Sequence, residues 1–256
     1  MAAEKTLAIV LRVTEFSETS CVVTLFTQDF GKLSALAKGA RRPKSPFEAA
    51  LDVLSVCRVV FLQKSGDSLH LLTEAKLERR FRAGARNLES LYAAYYVVEL
   101  LGRMTDHLDP HPELFRLAVS TIVELDSAIG EKHELHTTIS ILLMRFQMQM
   151  LSMLGQAPGL HACVECNANL EETIDKKRVA FGLNSGGILC AKCKRNDRRI
   201  ISLSLSALQG LADAMGTNFG INDAAVRKLP LGEMRGLLDW YITHLLGIKP
   251  TILKFL

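Results

Sequence analysis

The chain of 256 residues has no uncharged apolar run of the ~18–20 residues that a membrane-spanning helix needs, although 48% of it is hydrophobic and its mean hydropathy is +0.17. No apolar leader precedes the strand-like pattern at its front, so secretion is not expected. Without such a leader, the six cysteines point to thiols or metal ligands rather than disulfides. Internal repeats and low-complexity segments are absent, and the apolar content excludes disorder as the main state. Catalytic signatures are equally scarce. No P-loop, glycine-rich dinucleotide turn, Ser/His/Asp order or paired catalytic acids stand out, so an enzyme is not expected. The seven histidines are scattered; His107/His111 and His133/His136 have ligand-like spacing but read as surface residues of loops and helix starts.

One absence is local. Between Asp29 and Glu48 there is no acid, yet there are five cations: Lys32, Lys38, Arg41, Arg42 and Lys44. Net charge is +4 over residues 1–82, −4 over 83–160, +3 over 161–200 and +1 over 201–256. The cationic run suits a phosphate backbone, because each neutralised phosphate releases counterions. Charge alone fits a solvated surface run as well. Lys32 and Lys38 share a parity, which places them on one strand face, and Gly39 lets the chain turn before Arg41 and Arg42. Stacking aromatics are in short supply: Phe16, Phe26, Phe30, Phe47 and Phe61 are available, and several should be core. A second basic patch, Lys192, Lys194, Arg195, Arg198 and Arg199, either extends such a surface or keeps its segment soluble.

The pattern that is present begins with strands. Residues 6–13 alternate, with Leu7, Ile9, Leu11 and Val13 on one parity; 20–27, 32–38, 53–62 and 68–77 follow, the last two split by a turn at Lys64-Ser65-Gly66-Asp67. Five short strands in about eighty residues suggest a small antiparallel barrel, a fold that often binds single strands. The period then becomes helical at 88–104, 113–129 and 134–154, and again at 204–215 and 231–246, with Gly130, Gly155, Gly216 and Gly247 after four of these segments.

Cys163-Val164-Glu165-Cys166 and Cys190-Ala191-Lys192-Cys193 are two CxxC pairs separated by 23 residues. Each turn aims two sulfurs at one point, and two such turns close a tetrahedron around zinc; four thiolates leave no open position, so the site reads as structural. A redox pair lacks thioredoxin-like surroundings, and a nucleobase deaminase lacks its HxE and the proline before its CxxC. Cys21 and Cys57 lie in strands and read as small core residues, and His161 is at most a spare ligand.

From residue 135 to 164, Arg145 is the only Asp, Glu, Lys or Arg. Thr138, Arg145, Gln149 and Ser152 share one stripe of a helix that is otherwise apolar and rich in Met144, Met148, Met150 and Met153. This is either a buried helix with one polar stripe or a carboxylate site beside an adaptable methionine groove.

The order barrel, helices, zinc module, helices resembles RecO, the bacterial recombination-mediator family. The matching residues are Gly31-Lys32, Lys38-Gly39-Ala40-Arg41-Arg42 and Ser45; Arg145-Phe146 with Leu151, Gly155 and Leu160 leading into Cys163 and Cys166; and Phe181, Gly186-Gly187, Leu189, Cys190 and Cys193. Gln147 and Gln156 depart from the glutamate and aromatic that many relatives carry there. The resemblance implies an α+β multidomain protein: an OB-fold barrel (1–82), a helical domain (83–160), an inserted four-cysteine zinc module (161–200) and C-terminal helices packing on the helical domain (201–256). It implies a cytoplasmic, nucleoid-associated DNA-repair mediator that binds single- and double-stranded DNA and anneals complementary strands. The implied partners are RecR and the acidic C-terminal tail of single-stranded-DNA-binding protein, in the loading of RecA. On this reading Lys32, Lys38, Arg41, Arg42 and Lys44 contact DNA, the four cysteines hold zinc, and Arg145 is assigned to the tail carboxylate. The competing expectation is a zinc-stabilised protein-interaction scaffold with incidental DNA affinity.

Overall fold

A computed structural model describes residues 2–42, 45, 47, 50–64, 69–169, 174–175, 177–216, 219–220 and 223–256. The chain forms two compact units, residues 1–128 with 254–256, and residues 129–253.

In the first unit, β1 (Ala3–Glu15), β2 (Cys21–Thr27), β3 (Gly31–Ala37), β4 (Val56–Leu62) and β5 (His70–Arg79) close into a barrel of order β1-β2-β3-β5-β4. This is the five-stranded OB architecture. Four pairings are antiparallel, but β3 and β5 run parallel, which corrects the expectation of an all-antiparallel barrel. The cause is the long connection after β3, which carries the chain across to pair β4 with β1, so β5 returns beside β3 in the same direction. Residues Ser65, Gly66 and Asp67 of the expected turn before β5, and Lys44 of the cationic run, lie outside the described residues.

β3 alternates as a half-buried strand should: Gly31, Leu33, Ala35 and Ala37 point into the core, and Lys32, Ser34 and Leu36 stand on the outer face. β1 does not. Ala8 and Val10 enter the barrel core with Val23, Leu25, Val59 and Phe61, while Ile9 and Leu11 on the other parity are also buried and Val13 is exposed. α1 (Leu88–Met104) packs against β1, and a strand covered on both faces loses its alternation.

α1 starts at Asn87, whose Oδ1 accepts the Glu89 amide at 2.8 Å. α2 (Pro112–Ser127) begins with proline in its first turn and lays Phe115 against Phe26 of β2, ring centroids 6.2 Å apart. Asp126 accepts the Arg82 and Ala83 amides at 2.6 and 2.7 Å, which ties the end of the barrel to α2.

The connection from α1 to α2 is fastened to β3 by two adjacent residues. Gly31 has φ +66, and a Cβ there would stand 2.1 Å from the Asp109 carbonyl oxygen, so only glycine fits. Lys32 donates from Nζ to the Gly102 carbonyl at 2.7 Å and to the Thr105 carbonyl, and its own carbonyl accepts the Leu108 amide at 2.8 Å. An ammonium on the last carbonyls of a helix satisfies orphan acceptors and opposes the negative end of the dipole.

In the second unit, α3 (Lys132–Met153) is buried nearly all round. It packs against α4 (Leu205–Met215) and α6 (Leu231–Leu246), with the short α5 (Ala224–Arg227) between those two in the chain. The cysteine-bearing segment contains a small sheet that the sequence pattern does not announce. β7 (Arg178–Gly182) pairs with β6 (Ile174–Asp175), β8 (Gly187–Leu189) and β9 (Ile200–Ser204). Glu233 in the first turn of α6 accepts from the Ser204 amide at 3.0 Å and from the Arg178 guanidinium at 2.6 Å, fixing α6 on this sheet. Burial opposes its ionisation, but the Ser204 and Arg178 donors prevail and hold the Glu233 carboxyl below the usual range. Among the described residues, no helix is long and apolar enough to cross a membrane.

Candidate nucleic-acid interface and metal centre

The cationic run divides by role. Lys32 is half-buried on the outer face of β3 with its ammonium on the α1 carbonyls. Burial lowers its pKa and Asp106 opposes the shift. Lys38 follows the last residue of β3 and is exposed; Gly39, at φ +71, turns the chain, and Arg41 and Arg42 are exposed beyond it. The structure therefore gathers Lys38, Arg41 and Arg42 on one turn and sets Lys32 apart.

That turn leans on the tip of the β1–β2 hairpin. The Arg41 amide donates to the Thr19 carbonyl at 3.0 Å, the Gly39 amide to Ser20 Oγ at 3.3 Å, and the Arg41 guanidinium pairs with Glu15 at 3.1 Å. With side-chain exposures of 44% and 77%, this ion pair is solvent-screened and contributes about 0–1 kcal/mol, so it positions Arg41 without neutralising it for a polyanion. Glu15, Thr19 and Ser20 carry no signal in a linear reading; only the hairpin register brings them here.

The four cysteines converge. The Sγ atoms of Cys163, Cys166, Cys190 and Cys193 all lie within 4.8 Å of one another, and Cys166 and Cys190 are 3.7 Å apart. A tetrahedral zinc with Zn–S bonds of about 2.3 Å requires sulfurs about 3.8 Å apart, so the set fits such an ion. Each pair sits on a turn closed by backbone: the Asn167 amide reaches the Cys163 carbonyl at 2.7 Å, and the Lys194 amide the Cys190 carbonyl at 3.0 Å. The turns are held together where Gly159 crosses Gly187. The Ile188 amide donates to the Gly159 carbonyl at 2.9 Å, and the Val164 amide to the Ile188 carbonyl at 3.0 Å. A Cβ on Gly187 would stand 2.4 Å from Val164 Cγ1 and 2.6 Å from the Gly159 oxygen.

Burial opposes ionisation of Cys163, but amides of Cys190, Cys166 and Glu165 outweigh it and bring the thiol down to about 6. Hydrogen bonding with the Cys166 and Cys190 side chains pushes Cys193 up to about 12. Four thiols this close do not ionise together unless a cation neutralises them, as a bound divalent metal would. Cys21 and Cys57 are buried in the barrel, as expected, and burial raises both.

The second basic patch adjoins the second CxxC pair in the chain. Lys194 and Arg195 line a surface depression with Arg178, Val179, Ala180, Ile200 and Ser202, and Lys192, Arg198 and Arg199 are exposed beside it. Asp197 within the patch accepts the Arg199 amide at 2.8 Å and the Ser185 amide at 3.2 Å, so it shapes the β7–β8 turn.

On α3, Thr138, Arg145, Gln149 and Ser152 are the partly exposed stripe of the expected helix. Arg227 of α5 reaches Thr138 Oγ1 at 3.1 Å, adding a cation that the stripe alone does not disclose; the capping Asp223 is the signal that could have located its helix. Gln149 donates to the Gly216 carbonyl at 2.8 Å. Of the two readings of α3, the buried helix with one polar stripe is the one that forms: Met144, Met148 and Met150 are core and of the four methionines only Met153 is exposed, because α3 is enclosed by its neighbours.

Comparison with known proteins agrees with this architecture. Residues 1–81 match the family model described as recombination protein O N terminal, and residues 85–252 the model described as recombination protein O C terminal. The chain belongs to the RecO family. It is 44% identical to the DNA repair protein RecO of Rhodopirellula baltica, an alignment covering 98% of this chain and 97% of that protein. It is 32% identical to the RecO of Anaeromyxobacter dehalogenans over 100% of this chain and 96% of the relative. With the RecO of Myxococcus xanthus it shares 29% identity over 97% and 95%. The family is one of DNA-repair proteins, as the resemblance in the sequence implies.

Proposed function

We propose that the chain binds single- and double-stranded DNA at the barrel, anneals complementary strands and, with RecR, helps load RecA onto DNA coated by single-stranded-DNA-binding protein. The observation that carries this reading is the exposed turn of Lys38, Arg41 and Arg42, held against the hairpin tip in a stretch of chain without acids. Lys44 continues the run in sequence. Lys32 contributes indirectly, by fixing the end of α1 on β3. The action is electrostatic: cations screen phosphate repulsion so that two strands can be held together, and no bond chemistry is required.

The four segments expected from the sequence are kept as functional parts: a DNA-binding barrel, a helical part, a metal module and closing helices. The metal is zinc in a structural role, held by Cys163, Cys166, Cys190 and Cys193. Arg145 is assigned to the acidic tail of single-stranded-DNA-binding protein, with Arg227, which reaches Thr138 of the same stripe, as a second cation. The setting is the cytoplasm, at the nucleoid.

Reversal of Arg41 and Arg42 to glutamate tests the central claim. Fluorescence anisotropy across a salt titration should show weaker DNA binding and a logarithmic salt slope flatter by about 1.4 on single strands, at about 0.7 for each phosphate no longer neutralised. Unchanged affinity and slope reject the assignment and leave the scaffold reading. For the partner tail, calorimetry with the tail peptide should show loss of binding in Arg145→Ala.

A further inference from the structure

The barrel has one exposed aromatic side chain among the described residues. Phe26 is fully buried against Phe115 of α2, Phe61 and Phe47 are buried in the barrel core, and Phe30 packs edge-on against Phe61. Phe16, in contrast, is 62% exposed. It follows directly on β1, whose last four residues, Arg12 to Glu15, are themselves exposed. The hairpin therefore extends past its own core and carries an apolar ring into solvent, where burial gives no reason for one.

Its position is fixed. The Phe16 amide donates to the Ser20 carbonyl at 3.0 Å and the Ser17 amide to the same oxygen at 3.1 Å. Ser20 N in turn donates to Ser17 Oγ at 3.2 Å. The same short segment receives the cationic turn through Ser20 Oγ and the Thr19 carbonyl, and Glu15, the residue before Phe16, holds Arg41. Exposed cations Arg12, Lys38, Arg41 and Arg42 thus stand within a few residues of the ring along the paired strands, against the carboxylates of Glu15 and Glu18. An apolar ring beside a surplus of cations suits a polyanion with flat faces better than the apolar surface of a protein partner.

We propose that Phe16 stacks on an unpaired base of single-stranded DNA whose phosphates lie along Lys38, Arg41 and Arg42. The inference rests on the DNA-binding reading and adds the ligand state that this site selects. Phosphate contacts alone do not favour single strands, since a duplex has the denser charge. A ring that takes a base by its π-face favours them, because duplex bases already stack on one another. Stacking also leaves the hydrogen-bonding edge of the base free, so a held strand stays open to its complement.

The test uses the full-length protein with Phe16→Ala and Phe16→Tyr, a fluorescent 20-nucleotide oligo(dA), a 20-base-pair duplex and an oligonucleotide carrying 2-aminopurine. Phe16→Ala should bind the oligonucleotide roughly tenfold more weakly at fixed salt, with duplex affinity and salt slope unchanged. Phe16→Tyr should restore wild-type binding, and the 2-aminopurine signal that wild type perturbs should be unperturbed by the alanine variant. Wild-type oligonucleotide affinity in Phe16→Ala overturns the proposal, as does an equal loss on duplex. If Arg41 and Arg42 reversal weakens binding but Phe16→Ala does not, the DNA reading stands and the stacking role falls. If wild type binds neither DNA at low ionic strength, both fall together.

Discussion

Lys32 shows how one residue can look like a ligand contact and serve the fold. Its place in a run of five cations is read from sequence as part of a phosphate stripe, yet its ammonium meets the Gly102 and Thr105 carbonyls. Lys32→Ala should therefore destabilise the first unit by about 1–2 kcal/mol in chemical denaturation, whereas Lys38→Ala should change stability by less than about 0.5 kcal/mol. His70 also serves the fold. It is 1% exposed, its Nδ1 accepts the Lys64 amide at 3.2 Å, and its Nε2 has no hydrogen-bond partner among the described residues. Burial first, then His107 and Lys64, lower its pKa. The unfolded chain takes up the proton more readily, so this contribution to stability is present above the ordinary histidine pKa of about 6.5 and is lost as pH falls below it. The melting temperature of wild type should fall between pH 7.5 and 5.5 by more than that of His70→Asn, whose amide oxygen keeps the contact to Lys64.

At the scale of elements, the four-cysteine module depends on the crossing of Gly159 and Gly187. Gly187→Ala places a methyl 2.6 Å from a backbone oxygen that has nowhere to move without parting the two CxxC turns. It should lower bound metal per chain, measured by atomic absorption, and destabilise the second unit by roughly 2 kcal/mol or more. Neither glycine could be assigned this role from sequence, because the contact joins residues 28 positions apart. What the sequence does disclose follows local chemistry. α1 is read to the residue because its apolar period is strong, and the Asn87 cap stands where that period begins; the cysteines are located because CxxC spacing is itself geometry. The sheet around β7 escapes because its strands are two to five residues long, too short for a period to register. The inward parity of β1 is misread because a helix buries its other face, and nothing in residues 6–13 announces that helix. At the candidate interface, the cations are legible as a run, whereas the division between Lys32 and its neighbours depends on where α1 ends.

For the whole molecule, the two units should respond differently to loss of metal. A chelator should lower the melting transition of the second unit, which contains all four thiols, and leave that of the first near its starting value, as read by calorimetry with and without excess zinc. Cys163→Ser should reproduce this without chelator. The first unit also extends beyond the 81 residues of the N-terminal family match. α1 and α2 belong to it: Phe115 lies against Phe26, Lys32 grips the end of α1, and the Asp109 backbone occupies the space that a side chain on residue 31 would need. Scissors placed after residue 82 would strip the barrel of this cladding and leave a sticky remnant prone to clump. Cutting after Ala128 instead keeps α1 and α2 on the barrel and leaves only residues 254–256 of the unit behind, so it should release a well-behaved half, one that holds oligonucleotides if the proposed DNA reading is right.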